Sequence, residues 1–109
     1  MTPTAYYNSS KMCYEVWIEE AQGDRYVKVI KNMNTAHQIL KEQGYRFIDA
    51  KLGVMDMPML LVTDYQYFAN NENDILDWCK QSNVQCNLMG MILEFGSQEE
   101  KMMFLLRWS

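Results

Sequence analysis

Cysteine, histidine, glycine and proline are all scarce in this chain, and each shortage removes a class of function. Its 109 residues include 3 Cys, 1 His, 5 Gly and 2 Pro. A zinc site draws several Cys or His ligands at characteristic spacings. Cys79 and Cys86, with His37 as the lone histidine, do not supply such a set, so no metal is expected. An odd number of cysteines without patterned spacing does not build a disulfide framework either. Cys13, Cys79 and Cys86 therefore read as reduced thiols of a cytoplasmic protein. The glycines never cluster, which excludes a phosphate loop or dinucleotide fingerprint, and no cofactor is expected.

Excess positive charge and long apolar runs are missing too. The net charge is −4 and the ten basic residues are scattered singly, whereas general phosphate binding needs clustered Lys and Arg. Nucleic acid is not an expected partner. No run reaches the ~18 apolar residues of a membrane span. Residues 1–10 lack the basic region and apolar core of a signal peptide and read as a short frayed tail.

What is present suits one compact domain spanning residues 1–109. Apolar residues make up 49% of the chain, enough for a core without staples. Met12–Glu20 alternates, with Met12, Tyr14, Val16 and Ile18 on one side and Cys13, Glu15, Trp17 and Glu19 on the other. That is the pattern of a strand with one wet face. Ala21–Asp24 is a turn, and residues 25–31 return as the second strand of a hairpin. Asn32 or Asn34 caps a helix over 35–43 that stops at Gly44, with Ala36, Ile39 and Leu40 as its apolar stripe.

A third strand is expected over Tyr45–Lys51 and a loop over Gly53–Pro58, because proline lacks a ladder donor. Met59–Thr63 is continuously apolar and fits an interior strand covered on both faces. Asn70–Asn73 offers caps for a second helix carrying Ile75, Trp78 and Cys79, which Ser82–Asn83 ends. Val84–Phe95 reads as one long strand with a bulge at Gly90. Residues 25–95 thus follow the β-α-β-β-α-β order of a ferredoxin-like α+β sandwich, an antiparallel sheet with helices on one face. An N-terminal strand and a C-terminal helix are additions.

No catalytic set emerges. His37 sits near the edge of a helical stripe with no orienting partner in sequence. Asp56, Asp64, Glu72, Asp74 and Asp77 concentrate acid in the middle of the chain, where capping and a solvated helix face account for them; an acidic docking surface is the sharper reading. Exposed aromatics on a sheet can stack bases, but Trp17 lies between Glu15 and Glu19, which repel phosphate. If a small-molecule pocket exists between sheet and helices, His37, Tyr45, Asp64 and Trp78 are its candidates. Methionine is over-represented at ten residues, with Met55, Met57 and Met59 in one group and Met102 and Met103 in another. Its flexible thioether suits core filling and adaptable binding surfaces alike.

The last thirteen residues carry the strongest signal. Ser97 and Glu100 form an S-x-x-E capping box. The helix after it bears Met102, Met103, Phe104, Leu105, Leu106 and Trp108, and is apolar nearly all round. A surface helix shows about three apolar positions in seven. Fully burying six such side chains is worth about 10 kcal/mol or more, comparable with the ~5–15 kcal/mol stability of a domain. These six residues are therefore expected at an interface, most simply that of a homodimer formed through this helix, an adjoining sheet face, or both.

The closing segment, Met91-Ile-Leu-Glu-Phe-Gly-Ser-Gln-Glu-Glu-Lys-Met-Met-Phe-Leu-Leu-Arg-Trp108, resembles the tails of small uncharacterised proteins encoded by marine tailed phages. Those end with a strand, a short turn and a helix closing in F-x-L-R-W, matched by Phe104, Leu106, Arg107 and Trp108. The resemblance covers residues 91–108 alone. It implies a phage accessory protein of the host cytoplasm and carries over no functional residue. The expected function is a non-enzymatic protein-interaction factor; the alternative is a small dimeric ferredoxin-like enzyme or a binder with an apolar pocket.

Overall fold

The computed structural model describes residues 3–52 and 55–109, with the backbone alone for Met55 and Asp56. The Gly53–Val54 part of the loop expected over Gly53–Pro58, and any role for the Met55 and Asp56 side chains, lie outside the described residues. The chain is α+β. Its strands are β1 (Thr4–Asn8), β2 (Cys13–Gln22), β3 (Arg25–Asn32), β4 (Phe47–Leu52), β5 (Met55–Val62), β6 (Cys86–Met89) and β7 (Ile92–Phe95). The helices are α1 (Met33–Glu42), α2 (Tyr65–Gln81) and α3 (Gln98–Trp108). The strands form one sheet in the order β3-β2-β1-β4-β5-β7-β6.

That order departs from the ferredoxin-like expectation. β3 should have been interior and is instead an edge strand. The sheet is mixed, because β1 runs parallel to β4 while the other neighbours pair antiparallel. Thr4–Asn8, expected within a frayed tail, is the strand that joins the two halves of the sheet. Its alternation is short but real: Ala5 is fully buried and pairs with Val16 and Ala50, while Thr4 and Tyr6 face the other way.

Helices occupy both faces rather than one. Ala36 and Leu40 of α1 pack with Ala5, Val16, Ile18, Ile48, Ala50, Met59 and Leu61. On the opposite face, Phe68, Ile75 and Cys79 of α2 and Phe104 and Trp108 of α3 pack with Phe47, Leu60, Val62, Leu93 and Phe95. Alternate residues of β4 and β5 thus serve different cores, and the Met59–Val62 run is covered on both sides, as its continuous apolarity predicts.

Several local differences have clear causes. β5 begins at Met55 and contains Pro58, which lies where the β4–β5 register shifts between Ala50 and Leu52. The proline therefore interrupts the ladder where it is already irregular. α2 starts at Tyr65, not after Asn70, because the Asp64 carboxylate accepts the Tyr67 N–H at 3.1 Å; Asn70–Asn73 lie within the helix. The expected long strand 84–95 is a hairpin. Gly90, with φ of +63°, turns the chain between Met89 and Ile92, which pair. Ser97 caps α3, its hydroxyl accepting the Glu100 N–H at 3.2 Å. The Glu100 carboxylate accepts the Gln85 N–H at 2.8 Å and so ties α3 to the segment before β6.

Candidate functional site

Three surface features come from this framework. The first is the outer side of α3. Phe104 is completely buried and Trp108 is 5% exposed, so both belong to the core, where Phe104 stacks edge-on with Phe47 at 5.0 Å and tilts against Phe95 at 5.1 Å. Leu105 is half-buried. Met102, Met103 and Leu106 remain in solvent, with Leu106 84% exposed. Helical spacing puts Leu106 one turn from both methionines, so the three form a single stripe. The six residues read from sequence as an interface therefore split, with Phe104 and Trp108 holding α3 down and Met102, Met103 and Leu106 facing outward.

The second feature is a bare half-sheet. α1 covers β2 and β3 on one face, and α3 lies over β5 and β7 on the other. Among the described residues, no helix covers the second face of β1–β2–β3. Trp17 is at its centre, 5.0 Å from the Tyr6 ring and with the Lys28 ammonium 4.4 Å above it. Ile30, paired with Trp17 across the strands, is 52% exposed, and Tyr26 near the edge is 74% exposed. α3 borders this surface, anchored by a 3.0 Å ion pair from Lys101 to Asp49 of β4. The wet side of β2 was legible in its alternation. Tyr6 was missed because five strand residues next to a polar turn resemble a tail.

The third feature is a wide-mouthed hollow of about 560 Å³ between α2 and the end of α3. Tyr67, Trp78 and Trp108 line it, with Asp74 and Asp77 on α2 and Arg107 on α3. The Arg46 guanidinium lies over Tyr67 at 4.0 Å and reaches the Trp108 carbonyl at 3.4 Å, which complements the negative end of α3. Arg107 stacks on Trp108 at 4.2 Å. The Trp108 indole N–H is buried and has no acceptor among the described residues.

The four pocket candidates from sequence do not meet. Trp78 lines this hollow, while Tyr45 lines a smaller one of about 310 Å³ beside Leu105. Asp64 is occupied as the α2 cap. His37 sits half-buried on α1, which packs against the other face. Arg46 and Arg107 were missed, since nothing in sequence ties two isolated arginines to aromatic rings.

The titratable groups that shift do so away from neutrality. Burial pushes the Tyr14 phenol up, assisted by Tyr7 and Glu94. Burial also raises Cys79, and raises Cys86 to about 12, with Cys79 adding to that shift. The hydrogen bond from the Asn8 amide, 2.6 Å long, holds the Glu15 carboxyl below its usual value. General acid–base work favours groups tuned towards the working pH, and a nucleophilic thiol needs a lowered pKa. Cys13 is exposed, Cys79 buried and Cys86 half-buried, all as free thiols. Among the described residues, no group of three or more Cys, His, Asp or Glu could hold a metal ion. None of the helices among those residues is long and apolar enough to cross a membrane. The chain matches no protein-family model, no curated protein and no solved structure.

Proposed function

We propose that this protein is a non-enzymatic interaction factor that works as a homodimer through α3 and the bare half-sheet beside it. The observation that carries this reading is the Met102–Met103–Leu106 stripe, which leaves 55%, 43% and 84% of those side chains in water. A second copy is the fitting occupant because α3 is complementary to itself when reversed. Its two ends carry opposite partial charges, so antiparallel pairing of two copies opposes the helix dipoles.

The stripe is not enough alone. At about 25 cal/mol per Å², three side chains worth ~1.5–3 kcal/mol each represent roughly 200–350 Å². A stable interface needs about 800 Å² per partner. Trp17, Ile30 and Tyr26 on the bare sheet are the apolar area nearest to hand. The F-x-L-R-W close supports a phage accessory factor of the host cytoplasm.

Size-exclusion chromatography with light scattering tests the reading. The wild type is expected as a dimer at tens of micromolar. Leu106→Asp and Ile30→Asp are expected as monomers with unchanged circular dichroism. A wild type that stays monomeric at several hundred micromolar overturns it. Phe104→Asp is unsuitable, because that position is in the core.

A further inference from the structure

We propose that the hollow between α2 and α3 binds a small zwitterion, a molecule with an ammonium and a carboxylate on a short stem. The inference is independent of dimer formation. Asp74, Asp77 and Arg107 all line the hollow and are exposed, yet among the described residues none has an ion-pair partner. Opposite charges around one cavity that do not reach each other leave a gap suited to a ligand carrying both signs. An ammonium pairs with the two carboxylates, which lie three residues apart on one side of α2. A carboxylate meets Arg107, whose stacking on Trp108 leaves its in-plane donors available.

The walls suit the stem. Tyr67, Trp78 and Trp108, together with the polar Asn71 and Gln81, line a volume of about 560 Å³, within the ~300–1,000 Å³ usual for small-molecule sites. Trp108, 95% buried on its 5% exposure, also has the one buried side-chain donor left without an acceptor among the described residues. Such orphaned donors are rare in folded proteins. A purely cationic ligand suits the site less well, because Arg107 and Arg46 already occupy ring faces there.

The test follows the indole N–H signals of Trp78 and Trp108 by ¹H–¹⁵N NMR, with Trp17 as the distant reference. The probe is 6-aminohexanoate, and the half-probes are hexylamine and hexanoate. The probe is expected to shift Trp78 and Trp108 with millimolar affinity and to leave Trp17 in place. Each half-probe is expected to bind at least about tenfold more weakly, as are the Asp74→Asn/Asp77→Asn double variant and Arg107→Gln towards the full probe. An unmoved Trp17 signal confirms that the variants remain folded. Three results overturn the proposal: no shift at about 20 mM probe, a half-probe equal to the full probe, or full binding by the charge-neutralised variants.

Discussion

The two cores, separated by one sheet, are built on different principles. The α1 side is lean: Ala5, Ala36 and Ala50 are among its fully or nearly fully buried residues. The α2–α3 side is aromatic, with Phe47, Phe68, Phe95, Phe104 and Trp108 filling a deeper layer and Trp78 edge-on to both Phe104 and Trp108 at 6.4 Å. A close-packed alanine interface resists added volume, whereas an aromatic layer depends on volume being present. The same contrast places the surface features. The larger hollow lies beside the aromatic layer, at Tyr67, Trp78 and Trp108, and the smaller one reaches Phe47 and Leu60 of the same layer.

Three substitutions probe that contrast. The largest effect belongs to Phe104→Ala, which should cost about 3–5 kcal/mol in urea denaturation. Leu106→Ala, two positions along the same helix, should stay within about 0.5 kcal/mol at concentrations where the protein is monomeric. On the lean side the informative change is an addition: Ala36→Leu should destabilise by about 1–3 kcal/mol through overpacking. If Ala36→Leu proves neutral while Phe104→Ala does not, the α1 layer is looser than its burial implies.

Helix caps should weigh about equally on the two sides. Asn32 caps α1 by accepting the Thr35 N–H at 2.9 Å, as Ser97 caps α3. Alanine at either position should lower stability by about 1 kcal/mol. The smallest effect is electrostatic. Glu15 is lowered from its ordinary value of 4.5 by the Asn8 hydrogen bond. A depressed carboxylate adds stability that is present above its unfolded-state pKa and is lost as pH falls through the lower folded one. Asn8→Ala should therefore lower the neutral plateau slightly and flatten the acid limb of the stability–pH curve below pH about 4.5, the two proteins converging in acid, as measured by thermal melts across that range.

Much of the fold was legible where a local rule had no competitor. The β2–β3 hairpin, the interior run at Met59–Val62, the stop of α1 at Gly44 and the Ser97 cap all follow from period, burial and capping chemistry. Misreadings arose where two rules met. Gly90 within an apolar run fits a bulge or a turn equally well, and only the Met89–Ile92 pairing decides. Asn70–Asn73 read as the caps of α2, whereas Asp64 caps it one and a half turns earlier and the added stretch buries Phe68. The parallel β1–β4 contact was invisible, since it joins segments more than forty residues apart without a local signature. For the candidate sites, the apolar surplus of α3 was plain in the sequence. Which half of it faces outward was not, because Phe104 and Leu106 differ only in rotation about the helix axis.

The position of β1 has a consequence for any shortened version of this protein. A polypeptide started at Met12 would keep every other strand and helix, yet would lack the strip that hydrogen-bonds β2 to β4. The sheet would divide within one chain into a β2–β3 half and a four-stranded half, each with a newly opened seam. Such seams invite capture by stray strands. A synthetic peptide spanning Thr4–Asn8, supplied in trans, would be their natural stopper.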